Sequence, residues 1–340
     1  MSTQILPQSP KNVAIAGATG AVGREFISVL EKINYPIKNI KLLSSKRSAG
    51  EKMNFAGEEI TVEEMNKDSF KGVDIALFSA GSSISKEYAK SVTDSGCILI
   101  DNSSAFRMLD DVPLVVPEVN AEDIKNNKGI IANPNCSTII MLMAVFPLHQ
   151  KNPVKRIVTS TYQAASGGGW AVMDELMQST KANIEGKAFV PKELPFDYGF
   201  NLFSHNTPIG DNGYNQEEMK MVKETQKILH NNDIAIAATC VRVPVLRAHC
   251  ISINLEFINS APSVDEARDL LKEFSGVQIV DDRENNHFPM PIEASGIFDC
   301  LVGRIRKDIS NPGKGLELFV AGDQLLKGAA LNAVQIACYL

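Results

Sequence analysis

No run of apolar residues in this chain approaches the roughly 20 needed to cross a bilayer. The longest, Ile139 to Phe146, stops at Pro147, so no membrane span is expected. An excess of positive charge is missing too: 34 Lys and Arg stand against 40 Asp and Glu, a formal net charge of −6. Counterion release on a polyanion needs a basic face, which excludes nucleic acid and anionic membrane as principal partners. Six cysteines, Cys97, Cys136, Cys240, Cys250, Cys300 and Cys338, are scattered without a CxxC pair, a spacing that fits neither a disulfide scaffold nor a zinc site. No metal is expected, and most of these thiols should be reduced core residues. The opening MSTQILPQSPK has neither a basic n-region nor an apolar h-region, so export is not expected and the cytoplasm is the expected location. Internal repeats and low-complexity stretches are absent.

What remains is the composition of a folded globular protein, 44% hydrophobic and 22% charged over 340 residues, long enough for about two domains. Asn12–Ala16 reads as a short buried strand, followed by a glycine turn and then by helical apolar spacing through Val22, Phe26, Val29 and Leu30 in Ala21–Lys32. Short apolar runs recur at Ile40–Leu43, Val73–Phe78, Ile98–Ile100, Leu114–Val116 and Ile130–Ala132. Several are separated by helical segments, the rhythm of a doubly wound parallel sheet. Residues 1–135 are therefore expected to form a Rossmann-type α/β domain.

From Val154 onward the strands lengthen and alternate, as in Ile234–Val243 and Ala248–Phe257, which suits a mixed or antiparallel sheet with one face covered. A second, α+β domain is expected over 136–321. Ser263 with Glu266 forms a capping box ahead of Ala267, Leu270, Leu271 and Phe274, and Gly276 closes that helix. The segment 322–340 reads as helical from Asp323 to Tyr339 and is expected to pack back on the first domain.

The turn Gly17-Ala18-Thr19-Gly20-Ala21-Val22-Gly23 has GxxGxxG spacing. Its small residues let the backbone approach a pyrophosphate at a helix N-terminus, and the strand before and helix after favour that reading over a plain tight turn. About 20 residues on, where an NAD site offers a carboxylate to the ribose, stands Ser44-Ser45-Lys46-Arg47-Ser48-Ala49-Gly50. Two cations and three hydroxyls suit a 2′-phosphate, so NADP is favoured over NAD; the competing reading is a solvated basic loop.

Asn133-Pro134-Asn135-Cys136-Ser137-Thr138 follows a strand and opens an apolar helical run. A thiol at a helix N-terminus gains thiolate character from the positive end of the dipole, which makes Cys136 a candidate nucleophile rather than one more core cysteine. Strand parity places Arg242 on one face with Ile234, Ile236 and Cys240, and His249 with Ile251, Ile253 and Leu255. An inward guanidinium requires a protein carboxylate or an anionic ligand, and an inward histidine is a proton carrier or a bonded core residue. His149, His205, His230 and His287 have no comparable context. Glu217 and Lys220 share a face at i, i+3 in a helix that Asn215 can cap, by spacing alone a solvated pair. Arg107 lies in the loop Asp101–Arg107 beyond a sheet strand, where α/β ligands collect, or is a surface arginine.

Taken together, GATGAVG, SSKRSAG, DNSSAFR, ANPNCST, TYQAASGGG, YNQEEMK, CVRVPVLRAHC, VGRIRKD and LLKGAALNAVQIA make the chain similar, over nearly its whole length, to the bacterial aspartate-semialdehyde dehydrogenase family. The resemblance implies a homodimeric enzyme that makes L-aspartate 4-semialdehyde from 4-phospho-L-aspartate with NADPH, on the route to lysine, methionine and threonine. It implies that Cys136 is the acyl-thioester nucleophile, His249 the acid/base and Gln163 the residue that orients the substrate. Arg107, Asn135 and Lys220 match the phosphate site, and Glu217 and Arg242 match residues holding the amino and α-carboxylate groups. Gly17, Thr19, Gly20, Ala21, Val22, Arg47, Ser48, Ser166 and Gly167 match cofactor contacts, as does Gln324, where this chain has Asp-Gln in place of the family's usual Asp-Asn. The second domain would carry the dimer contacts as well as the catalytic groups.

The chemistry agrees with the residues: displacement of phosphate by a cysteine thiolate splits a hard reduction into two easier steps. N-acetyl-gamma-glutamyl-phosphate reductase shares this Cys and His logic, and Glu217 discriminates against it. A non-catalytic dinucleotide sensor is the reading of another class, and Cys136, Gln163 and His249 speak against it.

Overall fold

The structure is a computed structural model in which residues 6–340 are described. The chain divides into two compact units: the described residues through Asn135 together with Ala329–Leu340 form the first, and Cys136–Gly328 the second.

In the first unit the strands are β1 (Lys11–Ala16), β2 (Ile37–Ser44), β3 (Lys52–Phe55), β4 (Glu58–Thr61), β5 (Glu63–Glu64), β6 (Ile75–Phe78), β7 (Ile98–Asp101) and β8 (Ile130–Ala132), with helices α1 (Ala21–Lys32), α2 (Ser82–Asp94) and α3 (Pro117–Asn120). Six strands form a sheet in the order β5-β2-β1-β6-β7-β8, and each neighbouring pair is parallel. β6 is IALF, buried at every position, as a parallel strand covered on both faces must be. Strand order reverses between β1 and β6, and the C-terminal ends of strands at such a reversal are where open α/β sheets collect ligands. The segment Leu114–Val116 does not form a strand. It makes one parallel bridge, Leu114 to Ala132, because Pro113 and Pro117 bracket it and a proline cannot donate to a ladder.

The polar hairpin β3–β4 was invisible to an apolar pattern. The C-terminal helix Leu331–Ala337 packs on α1, β6 and β7. Tyr35 Oη donates to the Ala337 carbonyl at 3.0 Å, and Asn332 Nδ2 donates to Val115 O and Asn133 Oδ1 at 2.9 and 2.7 Å.

The second unit contains α4 (Cys136–Lys151), β9 (Val154–Gln163), α5 (Trp170–Ile184), β10 (Phe203–Ser204), α6 (Gln216–Ile228), β11 (Ala235–Arg242), β12 (His249–Phe257), α7 (Val264–Glu273), β13 (Val277–Ile279), α8 (Pro291–Ala294), β14 (Cys300–Lys307) and β15 (Gly315–Gly322). Its seven-stranded sheet has the order β10-β11-β9-β12-β15-β14-β13. It is mixed, because β11–β9 and β13–β14 are parallel and the other pairs antiparallel. From Ser137 to Leu148 every α4 residue except Phe146 is buried. Such a helix, apolar all round, is held from several sides: it packs on β9, β12, β14, β15, α6 and α7, and that fixes where its first residue, Cys136, sits.

The expected Ser263–Glu266 capping box forms on α7, and Asn215 caps α6 as expected, in a box that Glu218 completes. Glu218 does a second job, since its other oxygen accepts the Cys240 N–H at 3.0 Å and ties the start of α6 to β11.

Asp323–Tyr339 is not one helix. Asp323 Oδ1 accepts the Leu325 and Leu326 N–H groups at 3.0 and 3.3 Å, Leu326–Ala330 is a wide π turn, and only then does the α-helix begin. Such turns recur at functional sites. Here the turn places Gly328 so that a Cβ on it would stand 2.8 Å from Cys136 Cβ.

Candidate active site

Register alone assembles the centre of the site. Arg242 at the end of β11 faces Gln163 at the end of β9, Cys250 faces Tyr162, and so His249, one residue earlier in β12, lies beside Gln163. Gly322 of β15 completes the rung. Three polar side chains on adjacent strands thus stand in a row, and all three are buried.

Cys136, the first residue of α4, is half-buried, whereas the other five cysteines are buried. Burial pushes the thiols of Cys97, Cys240, Cys250 and Cys338 up to about 12, which makes them poor nucleophiles. The next residue, Ser137, accepts from Gln163 Nε2 through Oγ at 2.8 Å, and the same nitrogen lies 3.2 Å from Glu217 Oε1. One amide therefore bridges the starts of α4 and α6. Lys220 Nζ donates to Glu217 Oε2 at 2.9 Å. The solvated-face reading of this pair fails for Glu217, which is buried, while Lys220 keeps 30% of its side chain exposed. The i, i+3 spacing was right; what it could not reveal was that the first turn of α6 points inward.

Arg242 is a buried cation with no carboxylate within ion-pair distance among the described residues. Its Nη1 reaches the Ala164 carbonyl at 3.4 Å, and its Nε is buried without a partner. A guanidinium at such depth with no counter-charge and an unsatisfied Nε favours an anionic ligand. His249 accepts the Ala164 N–H at Nδ1, 3.0 Å away, which assigns the ring proton to Nε2. Burial, and then the Arg242 charge, push its pKa down to about 3, so the ring is neutral at working pH and presents an Nε2–H. Gly167 is what lets these groups coexist: a Cβ there would lie 3.1 Å from His249 Cε1, 3.2 Å from Nε2 and 3.3 Å from Arg242 Nη1.

Ser166 and Gly167 belong to the short turn Ala165–Gly168. Gln324 Nε2 donates to Ser166 Oγ, and Gln324 Oε1 accepts the Ala248 N–H at 2.9 Å. Both ends of that amide are therefore engaged by protein, and it holds the turn to the residue ahead of His249. Asp323 braces the same loop by accepting from Arg247 Nε and the Gly296 N–H, each at 2.6 Å.

In the first unit, Gly17 has φ +82 and a Cβ there would collide with the Ser79 carbonyl oxygen. Gly23 meets Gly17 O and the Ala18 backbone equally closely. α1 begins at Ala21 with Gly20 as its cap and no side chain bonded over its end, so Thr19, Gly20, Ala21 and Val22 surround bare N–H groups at the positive end of a dipole. This is a cleft of backbone donors that fits a dinucleotide pyrophosphate. Gly17 and Ala18 donate to Leu43 O at 2.9 and 3.1 Å, tying the loop to the end of β2, after which Lys46 and Arg47 are exposed and Ser48 half-buried. Arg107 is buried, donating from Nε to Asn133 O at 2.9 Å and from Nη2 to Asn102 O at 2.7 Å; it is not a surface arginine. Asn135, also buried, directly precedes Cys136.

His205 and Gly328 were not singled out in the sequence. The alternation Phe203-Ser204-His205, buried, exposed, buried, is the signal that could have found the first. The second shows itself only through the π turn. Among the described residues no group of three or more His, Cys, Asp or Glu could hold a metal ion, and no helix is long and apolar enough to cross a membrane.

Two family models match the chain: "Semialdehyde dehydrogenase, NAD binding domain" over residues 12–127 and "Semialdehyde dehydrogenase, dimerisation domain" over 145–327. Aspartate-semialdehyde dehydrogenase of Synechocystis sp. is 53% identical over 329 residues, covering 97% of each chain. That of Bacillus subtilis is 46% identical over 333 residues, covering 96% of each. A crystal structure of aspartate semialdehyde dehydrogenase II from Vibrio cholerae, complexed with ASA, superposes with a TM-score of 0.94 at 40% identity, covering 97% of this chain and 98% of that one. The Candida albicans enzyme solved with NADP gives 0.74 at 25% identity over 97% and 98%. A bare dinucleotide turn, a half-buried thiol at a helix start and an inward Arg, His, Gln and Glu thus occur together in a sequence matched end to end by these relatives, and the chain belongs to the aspartate-semialdehyde dehydrogenase family.

Proposed function

We propose that the chain catalyses the reversible, NADP-dependent conversion of 4-phospho-L-aspartate to L-aspartate 4-semialdehyde and phosphate, as a cytoplasmic homodimer, in the biosynthesis of lysine, methionine and threonine. The observation that carries this reading is a chain of contacts through Gln163: it faces the buried Arg242, whose Nε has no partner, and its amide reaches both Ser137, the neighbour of Cys136, and the buried Glu217 carboxylate. Together that guanidinium and that carboxylate suit the two charged groups of an α-amino acid.

In this reading the Cys136 thiolate attacks the acyl carbon, a C–S bond forms, and the C–O bond to phosphate breaks. Gln163 orients the acyl group at the sulfur. Arg107, Asn135 and Lys220 hold the phosphate, Glu217 the α-ammonium and Arg242 the α-carboxylate. NADPH, when bound by Gly17, Thr19 to Val22, Arg47, Ser48, Ser166 and Gly167, supplies the hydride that reduces the thioester carbonyl. His249 then serves the tetrahedral adduct on Cys136: its Nε2–H donates to the adduct oxygen, stabilising the developing charge. As the adduct collapses the C–S bond breaks, the aldehyde leaves and the thiolate returns. Gln324 completes the cofactor contacts in this reading, and its amide also braces the Ser166 turn that carries two of the others.

The test is NADP reduction by purified protein with aspartate semialdehyde, with and without inorganic phosphate. Strictly phosphate-dependent reduction is expected. No reduction, or reduction indifferent to phosphate, would overturn the reading.

A further inference from the structure

β10 pairs antiparallel with β11 so that Phe203 faces Arg242 and Ser204 faces Val241. One step on, the His205 N–H donates to the Cys240 carbonyl at 2.8 Å. Strand alternation therefore turns His205 to the face that carries Cys240 and Arg242, one rung from the row of Arg242, Gln163 and His249. The side chain is buried, with 9% exposure.

Its Nδ1 lies 3.3 Å from Thr207 Oγ1, and that oxygen accepts the Glu217 backbone N–H at 3.1 Å. A hydroxyl that accepts from an N–H still has its own proton to give; with that proton on Nδ1, the ring carries its own proton on Nε2, the tautomer the inference takes. Nε2 makes no hydrogen bond within the described residues. The charged groups acting on the ring are Arg242, Glu217 and Lys220, the three that the functional reading places around the substrate. Burial and the two cations keep the ring neutral, so it offers a donor without adding a charge. Arg242 brings a planar fork to a carboxylate, and a carboxylate has lone pairs for more than two donors.

We propose that His205 is a substrate-binding residue whose Nε2–H donates to the α-carboxylate held by Arg242, so that this group is read by a guanidinium and an imidazole together. Thr207 sets the tautomer and, through the Glu217 N–H, fixes the start of α6, coupling the carboxylate reader to the residue that reads the ammonium. The assignment rests on the functional reading above and deepens it.

The experiment compares aspartate semialdehyde with 3-aminopropanal, the same aldehyde without its α-carboxylate, in phosphate-dependent NADP reduction by wild type, His205→Leu and His205→Gln. In His205→Leu the ratio of kcat/KM for the two aldehydes should fall roughly ten- to a hundredfold, the worth of one hydrogen bond to a charged group, chiefly through KM for aspartate semialdehyde. His205→Gln, which keeps a donor near Nε2, should hold the ratio within about threefold of wild type. On the wild-type chain, NMR of 15N-labelled histidine should show an Nε2–H tautomer whose proton moves downfield with L-2-aminobutyrate, the unreactive carbon skeleton. That measurement decides the matter even if the variants fold poorly. Equal losses on both aldehydes, no loss on either, or a proton on Nδ1 overturns the assignment while leaving the enzyme reading standing. A wild type inactive on aspartate semialdehyde overturns that reading and the assignment with it.

Discussion

Replacing Glu217 by Gln removes one negative charge from a buried position and leaves the side-chain outline almost unchanged. The folding cost should be small. The cation left behind, Lys220, is 30% exposed and can be met by water, so the loss should lie nearer the roughly 1 kcal/mol of a partly exposed pair than the cost of stranding a buried charge, a shift in Tm of about 2–4 °C. The amide oxygen of Gln can still accept from Gln163 Nε2, now 3.2 Å from Glu217 Oε1. Substrate binding pays more, because the bond from an α-ammonium to a carboxylate is charge-assisted and worth about 1.5–3 kcal/mol, roughly ten- to a hundredfold in kcat/KM. Selectivity should follow. An N-acetylated substrate presents a neutral amide there and would leave the Glu217 carboxylate partly unpaired and desolvated. Wild type is expected to oxidise aspartate semialdehyde with phosphate and to be essentially inactive on N-acetyl-glutamate semialdehyde, and Glu217→Gln to lose mainly the former activity with Tm nearly unchanged. Unchanged kinetics in the variant, or comparable wild-type rates on the two aldehydes, would refute the role of Glu217 and reopen the N-acetyl-gamma-glutamyl-phosphate alternative.

Cys136→Ala should abolish turnover and leave NADP binding nearly unchanged, and mass spectrometry of wild type with acyl phosphate and no reductant should find the adduct on Cys136; an adduct on another cysteine or an active alanine variant would sink the assignment. Arg47 is exposed, so Arg47→Ala should cost roughly tenfold or more in kcat/KM for NADP, little for NAD and little in stability; equal losses for both cofactors would make it structural. The folded pKa values of His249 and His205, about 3 and about 4, lie below the ordinary histidine value of about 6.5. The unfolded chain therefore binds more protons in the window between, and stability that is full above about pH 6.5 falls on acidification, by about 2 kcal/mol per histidine at pH 5. Urea midpoints should drop from pH 7 to 5 in wild type and by less in His249→Asn; an equal drop in both would show that His249 does not contribute.

Periodicity and turn chemistry were enough for the local grammar. The helix Ala21–Lys32 appears with the bounds its apolar spacing implies, and the Ser263 and Asn215 caps form as their side chains dictate, because a helix start depends on a few consecutive residues. The inward face of Arg242 and His249 was equally legible, since strand parity is a local property. What parity could not supply was the neighbour. That Gln163 stands between those two residues is a matter of register among three strands distant in sequence.

The burial of Glu217 and of His205 was likewise decided by packing, one through the way α6 meets β11, the other through a two-residue strand, Phe203–Ser204, too short to announce itself. The single helix expected after Asp323 failed for a physical reason of the same kind. The apolar pattern holds, but the backbone widens into a π turn over Leu326–Ala330, within which Gly328 lies against Cys136. The sequence by itself determined which residues carry charge, nucleophilicity and backbone freedom, and in which local elements. Only the tertiary structure decided which of them meet and which lose water, because depth and contact arise from elements that are remote along the chain.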